Sequence, residues 1–313
     1  MKIWLINPYG PIPTENWRDY SYTIMGRALA AAGHEVIWWT SNFSHHFKQF
    51  RSASWSDLDD GNGFTVRLVP TSAYRRNVGL GRVFRDWVFA LRTYRRGRTL
   101  ERPDCIVFSE SPLTFGYAGQ RLAEAFGCPV VYHQMDLWPE LIVNAFPARW
   151  RGCVNRLFGP VYASRRKVYS QLRAATGLAA PYLEAVLNEA PALRHQPHDV
   201  VYNGIDVAAF RRSMEAARAI PTGMPEKRPG HVWAVFAGSL GPSYDIPALW
   251  QAAERLEGTP SPLRIIIAGD GPHREELLRR CAESFNTRLH YLGKLPPDQL
   301  ADRKSTRLNS SHQ

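Results

Sequence analysis

The chain has 313 residues, 44% of them hydrophobic, and a formal net charge of +11. This length predicts a globular protein of about two domains, and the composition excludes the fibrous and disordered classes. The four cysteines show no C-x-x-C spacing, so we expect free thiols in a reducing, cytoplasmic compartment and neither disulfides nor a zinc site.

The N-terminal segment predicts a β-loop-α-β unit, and its first strand starts too early to leave room for a signal-peptide core. The predicted elements are a strand at 1–7, a helix at 20–32 and a strand at 36–39. The loop between the first strand and the helix carries Gly10, Arg18 and Asp19. The two charged residues are either candidates for binding an acceptor or a phosphate, or ordinary surface residues.

A basic region follows the next predicted strand, at 64–69. Between residues 74 and 102 there are nine arginines and only two acidic residues. Apolar side chains repeat there at helical spacing, at Val83, Phe84, Trp87, Val88, Leu91 and Tyr94. The pattern predicts a basic amphipathic helix that either packs on its own sheet with a solvated charged face or binds a membrane surface or an acidic ligand. Residues 149–173 predict a basic helix pair with the same two interpretations.

Polar side chains follow the end of a predicted strand in the middle of the chain. The strands at 104–108 and 129–133 flank a predicted helix at 113–126. His133 and Asp136 lie where the second strand ends, and Glu140 follows them. Ligands bind beyond the carboxyl ends of parallel strands, which favours a functional His133, although a hydrogen-bonded structural histidine is the alternative.

The second half of the chain repeats the strand-and-turn pattern. Predicted strands lie at 176–180, 199–202, 233–237, 263–268 and 289–293, and the proline-rich segment 220–230 marks a domain boundary. The strand at 263–268 runs into the turn Gly269-Asp270-Gly271-Pro272 and then a predicted helix at 273–282. Taken alone, such a turn is typical of any strand-to-helix connection.

Four of these motifs, in this order, resemble the family-four glycosyltransferases of the GT-B fold. They are the turn Asn203-Gly204-Ile205-Asp206, the strand end Gly238-Ser239-Leu240, the turn at Gly269 and the strand Leu289–Gly293. The resemblance implies an α/β protein with two Rossmann-like, doubly wound domains. It assigns 1–210 to the acceptor side and 211–301 to an incomplete nucleotide-sugar domain. Residues 302–313 resemble a sequencing adapter translated as codons, so we expect a non-native tail on a truncated chain.

The resemblance also implies a reaction and its residues. We expect retaining transfer of a sugar from a nucleotide diphosphate sugar to an acceptor hydroxyl, without a cofactor or a dedicated metal site. His133 and Asp136 are the expected catalytic residues. The expected donor-binding residues are Gly10, Gly238, Ser239, Gly269, Asp270, Gly271, Pro272 and Gly293. The candidates for acceptor or phosphate binding are Arg18, Asp19 and Glu140.

The chain departs from the family pattern at three places. Gly10 stands alone where many relatives have a Gly-Gly pair, and Ser239 and Tyr244 stand where relatives carry an Arg and a Lys that clamp the donor pyrophosphate. Backbone N–H groups at Gly238–Gly241 and helix N-termini would then serve the phosphates. Two glutamates that hold the donor ribose and sugar are absent, so we expect this chain to be inactive and to bind nucleotide sugars weakly.

Two alternatives stay open beside transfer. One is a sugar-nucleotide 2-epimerase of the same fold; the other is a basic nucleic-acid-binding module, disfavoured because the arginines alternate with apolar helical positions and no nucleic-acid-reading motif is present. As partners we expect a nucleotide sugar, a saccharide or lipid-linked acceptor from envelope or surface polysaccharide biosynthesis, and an anionic membrane surface, but no nucleic acid. The expected location is the cytoplasm, peripheral at the inner face of the cell membrane.

Overall fold

The computed structural model describes residues 1–15, 19–61, 63–75, 79–109, 114, 116–216, 224–226, 228–241, 244–283 and 287–295. The chain divides into two compact units, unit 1 from Met1 to Ile205 and unit 2 from Asp206 to Gln313. Each unit has its own sheet and its own core. Arg18 and the expected tail at 302–313 lie outside the described residues.

Unit 1 is built on an eight-stranded sheet. Its strands are β1 (Lys2–Ile6), β2 (Glu35–Ser41), β3 (Ser56–Asp59), β4 (Phe64–Val69), β5 (Cys105–Ser109), β6 (Val130–Gln134), β7 (Ala174–Gly177) and β8 (His198–Val200). They lie in the order β3-β4-β2-β1-β5-β6-β7-β8, and β3 is the antiparallel edge strand of an otherwise parallel sheet. The strands that follow β1 lie first on one side of it, β2 to β4, and then on the other, β5 to β8. Doubly wound sheets bind their ligands at such a switch point.

Helices connect these strands across both faces. They are α1 (Ser21–Ala31), α2 (Leu80–Gly97), α3 (Tyr117–Phe126), α4 (Glu140–Asn144), α5 (Ala148–Leu157), α6 (Gly159–Tyr169) and α7 (Ala180–Glu189), with a 3₁₀ turn at Pro191–His195. In β1, Trp4 and Ile6 enter one core cluster while Ile3 and Leu5 enter another. This alternation follows from the two-residue period of a strand, and it buries β1 on both faces.

Unit 2 contains a smaller parallel sheet. Its elements are α8 (Val207–Ala216), β9 (Val232–Ala237), α9 (Ile246–Leu256), β10 (Leu263–Ala268), α10 (Arg274–Ala282) and β11 (Leu289–Tyr291), with the strands in the order β9-β10-β11. Asp245 caps α9 by accepting a hydrogen bond from the backbone N–H of Ala248 at 3.2 Å. Ile265, Ile267 and Leu277 belong to the core of this unit.

Each predicted strand overlaps a strand of the structure, with differences at four segments. Strand β7 is Ala174–Gly177, so it begins and ends earlier than the predicted 176–180. Strand β3 was not predicted, because its sequence Ser-Asp-Leu-Asp is polar and only the edge pairing with β4 makes it a strand. Helix α3 begins at Tyr117, after Gly116 adopts a left-handed conformation (φ +60°), and the expected first residue, 113, lies outside the described residues. Residues 201–206 are exposed and irregular, so β8 ends at Val200, before the expected Asn-Gly turn.

Helix α2 packs through a different face from the one its apolar pattern suggests. Its buried residues are Arg85, Asp86, Phe89, Ala90, Thr93 and Gly97. Part of the apolar stripe is exposed instead: Phe84 is 63% exposed, Trp87 37% and Leu91 36%, and Leu80 at the start of the helix is 87% exposed, whereas Tyr94 packs against the core. A buried ion pair therefore takes part of the sheet-facing side, and large apolar side chains remain on the surface.

None of the helices in the described part of the chain has the length and apolarity needed to cross a bilayer.

Candidate active site

His133 lies near the carboxyl end of β6, as predicted, and is 1% exposed. In the sheet it pairs with Ser109 of β5 and Thr176 of β7. Its Nδ1 is 2.8 Å from the Thr176 hydroxyl oxygen, which can accept or donate this hydrogen bond. Burial lowers the pKa of His133 to about 4, because the charged imidazolium would lose its hydration. The ring is therefore neutral at pH 7, as a hydrogen-bonding partner of a sugar hydroxyl would be.

Asn7 brings the end of β1 to the same edge of the sheet. Its Nδ2 donates to the Ser109 hydroxyl at 2.6 Å, and its Oδ1 accepts from the backbone N–H of Tyr9 at 2.7 Å. The same Nδ2 lies 3.5 Å from the Tyr20 hydroxyl. The sequence interpretation missed Asn7, Ser109 and Thr176. The available signal was a polar residue at or just after the end of a predicted strand, at Asn7 and Ser109, whereas Thr176 began the predicted strand 176–180 and carried no such signal.

Asp136 lies two residues after the end of β6 and is exposed. Burial raises its pKa, while a hydrogen bond from Trp138 and the positive charge of Arg82 act in the opposite direction. The Arg82 guanidinium lies 5.7 Å from the centre of the Trp138 ring. The polar group at His133 Nδ1 is the Thr176 hydroxyl, so Asp136 does not occupy that position.

The candidate residues Asp19 and Glu140 both have ionic partners in the structure. Asp19 accepts a hydrogen bond from Arg27 at 2.9 Å. Glu140 forms a two-point ion pair with Arg165, with distances of 2.7 and 2.9 Å. Arg165 is 3% exposed and also bonds Glu189 and the Trp138 carbonyl, so it holds α4, α6 and α7 together. Glu140 therefore fixes the segment that follows Asp136, and any contact with an acceptor remains a prediction.

Gly10 has a conformational role that the sequence alone did not reveal. Its φ is +96°, and a Cβ at this position would lie 2.1 Å from the Tyr20 ring. Its carbonyl accepts a hydrogen bond from Arg51 at 2.6 Å. Glycine is required here because the backbone is left-handed and the tyrosine ring lies against it. Donor contact from Gly10 remains a prediction.

The glycine turns of unit 2 meet at the carboxyl edge of its sheet. Gly269 N donates to the Gly293 carbonyl at 2.9 Å, and Gly238 N donates to the Ala268 carbonyl at 3.0 Å. Both Gly269 and Gly271 have φ of +154°, and a Cβ on Gly269 would lie 1.8 Å from the Gly238 oxygen. The structure thus brings together the three turns that were predicted to bind the donor.

These internal bonds correct one part of the phosphate-binding prediction. The N–H groups of Gly238 and Gly269 are already bonded to carbonyls, Leu240 N donates to the Asp270 carbonyl at 3.0 Å, and Gly271 N donates to Asp270 Oδ1 at 2.9 Å. Ser239, by contrast, is exposed at this edge. Arg274 begins α10 immediately after Pro272 and is also exposed.

Comparison with known proteins gives one family and one fold. Residues 23–209 match the sequence profile of Glycosyltransferase Family 4. No curated protein sequence matches the chain.

Solved structures resemble almost the whole chain. α,α-Trehalose 6-phosphate synthase from Burkholderia multivorans is 12% identical with a TM-score of 0.63, over 96% of this chain and 74% of that one. The catalytic domain of starch synthase IV from Arabidopsis thaliana, bound to ADP and acarbose, is 12% identical with a TM-score of 0.60, over 96% and 75%. HepE of Anabaena, in complex with UDP and glucose, is 14% identical with a TM-score of 0.55, over 96% and 71%. At these identities the likeness shows the fold, which is GT-B.

Proposed function

The chain belongs to Glycosyltransferase Family 4, and on that premise we propose that its function is the transfer of a sugar, with retention, from a nucleotide diphosphate sugar to an acceptor hydroxyl. In this proposal unit 1 holds the acceptor and unit 2 the donor. The observation that carries it is the polar edge around His133, which lies within the matched residues 23–209. There Ser109 and Thr176 flank a neutral imidazole in the sheet, and Asn7 donates a hydrogen bond to Ser109 at the switch point between β1 and β5.

The proposed catalytic role of His133 follows from its protonation state. A neutral imidazole can hydrogen-bond a sugar hydroxyl as charge develops on the reacting carbon, without adding a second positive charge. Its own geometry is fixed by the sheet and by Thr176, so little reorganisation is needed at the moment of reaction. We propose that Asp136, which is exposed two residues after the end of β6, binds an acceptor or donor hydroxyl.

Unit 2 has fewer free backbone donors than the family pattern led us to expect. We therefore assign the nucleotide phosphates to the Ser239 hydroxyl, the Arg274 side chain and the N-terminal end of α10, which carries a partial positive charge. The closely packed turns at Gly238, Gly269 and Gly293 would form the floor beneath the nucleotide.

The acceptor class follows from the surface of unit 1. Helix α5 buries none of its residues, and Trp150 and Leu157 are 53% and 78% exposed. Trp87 of α2 and Val161 of α6 line one cavity of about 230 Å³, so the exposed stripe of α2 adjoins this second helical region. With the surrounding arginines, these apolar side chains suit the boundary of an anionic bilayer. We propose a lipid-linked or envelope saccharide acceptor and a peripheral position at the cytoplasmic face of the membrane.

The test measures release of free nucleoside diphosphate from nucleotide sugars, with and without saccharide acceptors. Two proteins are compared: the 313-residue chain, and a chimera that joins residues 1–205 to the nucleotide-sugar half of an active family relative. We expect the chimera to release nucleotide only when an acceptor is present, and the 313-residue chain to be at least a hundredfold slower. Release that does not depend on any acceptor would contradict the proposal. An epimerised nucleotide sugar formed without an acceptor would show that the chain is a 2-epimerase.

A further inference from the structure

A second polar cluster lies beside the candidate active site, at the same edge of the sheet in unit 1. We call it the Tyr9 cluster. It is formed by residues that follow β1, β2 and β4 and by the first turns of α2, namely Tyr9, His45, Lys48, Tyr74, Arg82, Arg85 and Asp86. Arg82 joins it to the active site, because its guanidinium also lies over the Trp138 ring. The cluster is thus built by tertiary contacts among four segments.

The contacts within the cluster are close and specific. The Tyr9 hydroxyl donates to Asp86 Oδ2 at 2.6 Å and accepts from Arg82 Nε at 3.1 Å. Arg85 Nη2 donates to the Tyr74 hydroxyl at 3.1 Å, and His45 Nδ1 also bonds this hydroxyl. The Arg85 guanidinium is 4.6 Å from the Tyr9 ring centre and 5.1 Å from that of Tyr74. Such contacts hold a cation over aromatic faces.

Positive charge exceeds negative charge in this cluster. The cluster contains three cations, Lys48, Arg82 and Arg85, and one carboxylate, Asp86. Asp136, outside the cluster, also interacts with the charge of Arg82. Burial and the two arginines lower the pKa of Lys48, and burial with all three cations lowers that of His45 to about 3. His45 is therefore neutral at pH 7 and adds no charge. A patch with net positive charge attracts the anionic group of a small ligand.

Arg85 shows that the positive charge is not fully matched inside the described part of the unit. Its side chain is 0% exposed, and its Nε has no hydrogen-bond partner. Its Nη1 lies 3.2 Å from Asp86 Oδ1 and has no hydrogen-bond partner among the described residues. A buried guanidinium with unused donors is costly unless another negative charge lies near it. Arg82 and Lys48 are the cluster's more exposed cations, so they are the groups that a ligand would meet first.

We propose that the Tyr9 cluster binds an anionic group, a phosphate or a carboxylate, carried by the acceptor saccharide. This inference rests on the proposed function and names its acceptor class. Arg82 and Lys48 would pair with the anion directly, while Arg85 contributes its charge from behind the two tyrosine rings. An acceptor held by its anion beside Trp138 would present a hydroxyl to the neighbouring edge at His133. The cluster would thereby select charged acceptors over neutral ones.

The test is a set of binding titrations of the 313-residue protein, since unit 1 contains the whole cluster. The probes are a neutral methyl glucoside, glucose 6-phosphate, glucuronate, inorganic phosphate and UDP. We expect at least tenfold tighter binding of glucose 6-phosphate or glucuronate than of the neutral glucoside, and weaker binding at higher salt. Whichever of the two binds more tightly tells whether the natural anion is a phosphate or a carboxylate.

Variants locate the binding. Arg82→Gln and Lys48→Gln should each weaken anionic saccharide binding at least tenfold without changing the thermal midpoint greatly. Arg121→Gln on α3 is the matched control, since Arg121 is an exposed arginine that does not belong to the Tyr9 cluster, and it should bind as the parent does. Equal affinity for neutral and charged saccharides, or unchanged binding by both cluster variants, would overturn the inference. So would displacement of the sugar phosphate by UDP, because the site would then belong to the donor.

The outcome separates this inference from the proposed function. If the chimera transfers sugar but shows no preference for charged acceptors, the function stands and the inference fails. If charged saccharides bind through Arg82 and Lys48 while no transfer occurs with any acceptor, the anion site stands and the proposed reaction fails.

Discussion

The residue with the sharpest predicted role is His133. Sequence placed it at the end of a strand, but the sheet determines its neighbours, because Ser109 and Thr176 come from strands that are distant along the chain. The same surroundings also suit a structural histidine, whose ring would be needed only for packing and for the bond to Thr176. Activity and stability must therefore be measured together.

Replacing His133 by Ala in the chimera should lower turnover by roughly a hundredfold, the scale of losing one preorganised hydrogen-bonding group. Thr176→Val is the matched control, because it removes the same His133–Thr176 hydrogen bond and leaves the imidazole in place. We expect it to cost about 1 kcal/mol of stability and less than tenfold in turnover. Equal losses of turnover in the two variants, or a normal rate with a depressed thermal midpoint in His133→Ala, would mean that His133 is structural.

The buried His133 also predicts a dependence of stability on pH. Its pKa is about 4 in the folded chain and about 6.5 when unfolded, so the unfolded state binds more protons between these values. The free energy of unfolding should therefore fall as the pH is lowered from about 6.5 to 4, by at most about 3 kcal/mol from this residue. His133→Gln should reduce this slope in urea titrations at several pH values. His45 contributes over a similar pH range, so His45→Gln should separately reduce the slope of stability against pH. An unchanged slope in His133→Gln would contradict the lowered pKa of His133.

At the scale of the element, the turn after β10 is the feature most sensitive to substitution. Gly269→Ala combines a φ of +154° with a Cβ only 1.8 Å from the Gly238 oxygen, so either β9 or β10 must move. We expect a loss of at least 3 kcal/mol in the stability of unit 2, from backbone strain together with overlap. Circular dichroism during urea denaturation would measure it.

Gly230→Ala provides the control for this turn. Gly230 also has a positive φ, of +83°, but a Cβ there meets open space. Its replacement should cost only about 1–2 kcal/mol, the price of a left-handed alanine. Similar costs at both positions would show that the close approach of the Gly238 carbonyl has no energetic effect.

At the scale of the whole molecule, the exposed apolar stripe and the basic charge predict binding to anionic bilayers. The 313-residue protein should sediment with vesicles containing phosphatidylglycerol and less with neutral vesicles, and added salt should weaken the interaction. Phe84→Ser with Trp87→Ser should reduce the bound fraction severalfold, because both side chains lie on the exposed stripe of α2. Leu278→Ser on α10, where a leucine is 43% exposed in unit 2, is the control. Equal binding to neutral and anionic vesicles, or none to either, would contradict the prediction.

The sequence by itself determined the alternation of strands and helices, because buried parallel strands read as β-branched and aromatic runs such as Val130–Gln134 and Leu263–Ala268. It also determined the family, through four short motifs whose order along the chain carries more information than any one of them. It placed His133 correctly at a strand end, since that position depends only on local pattern.

Tertiary structure alone decided which residues stand together at that end. Asn7, Ser109 and Thr176 are polar residues in unremarkable sequence, and only the strand order β1-β5-β6-β7 makes them neighbours. The same holds for α2, whose apolar stripe suggested a core-facing side although Arg85 and Asp86 occupy part of it. The physical reason is that Tyr9 and Tyr74, from distant strand ends, supply the hydroxyl groups and ring faces that make a buried ion pair tolerable. No pattern within the helix itself carries that information.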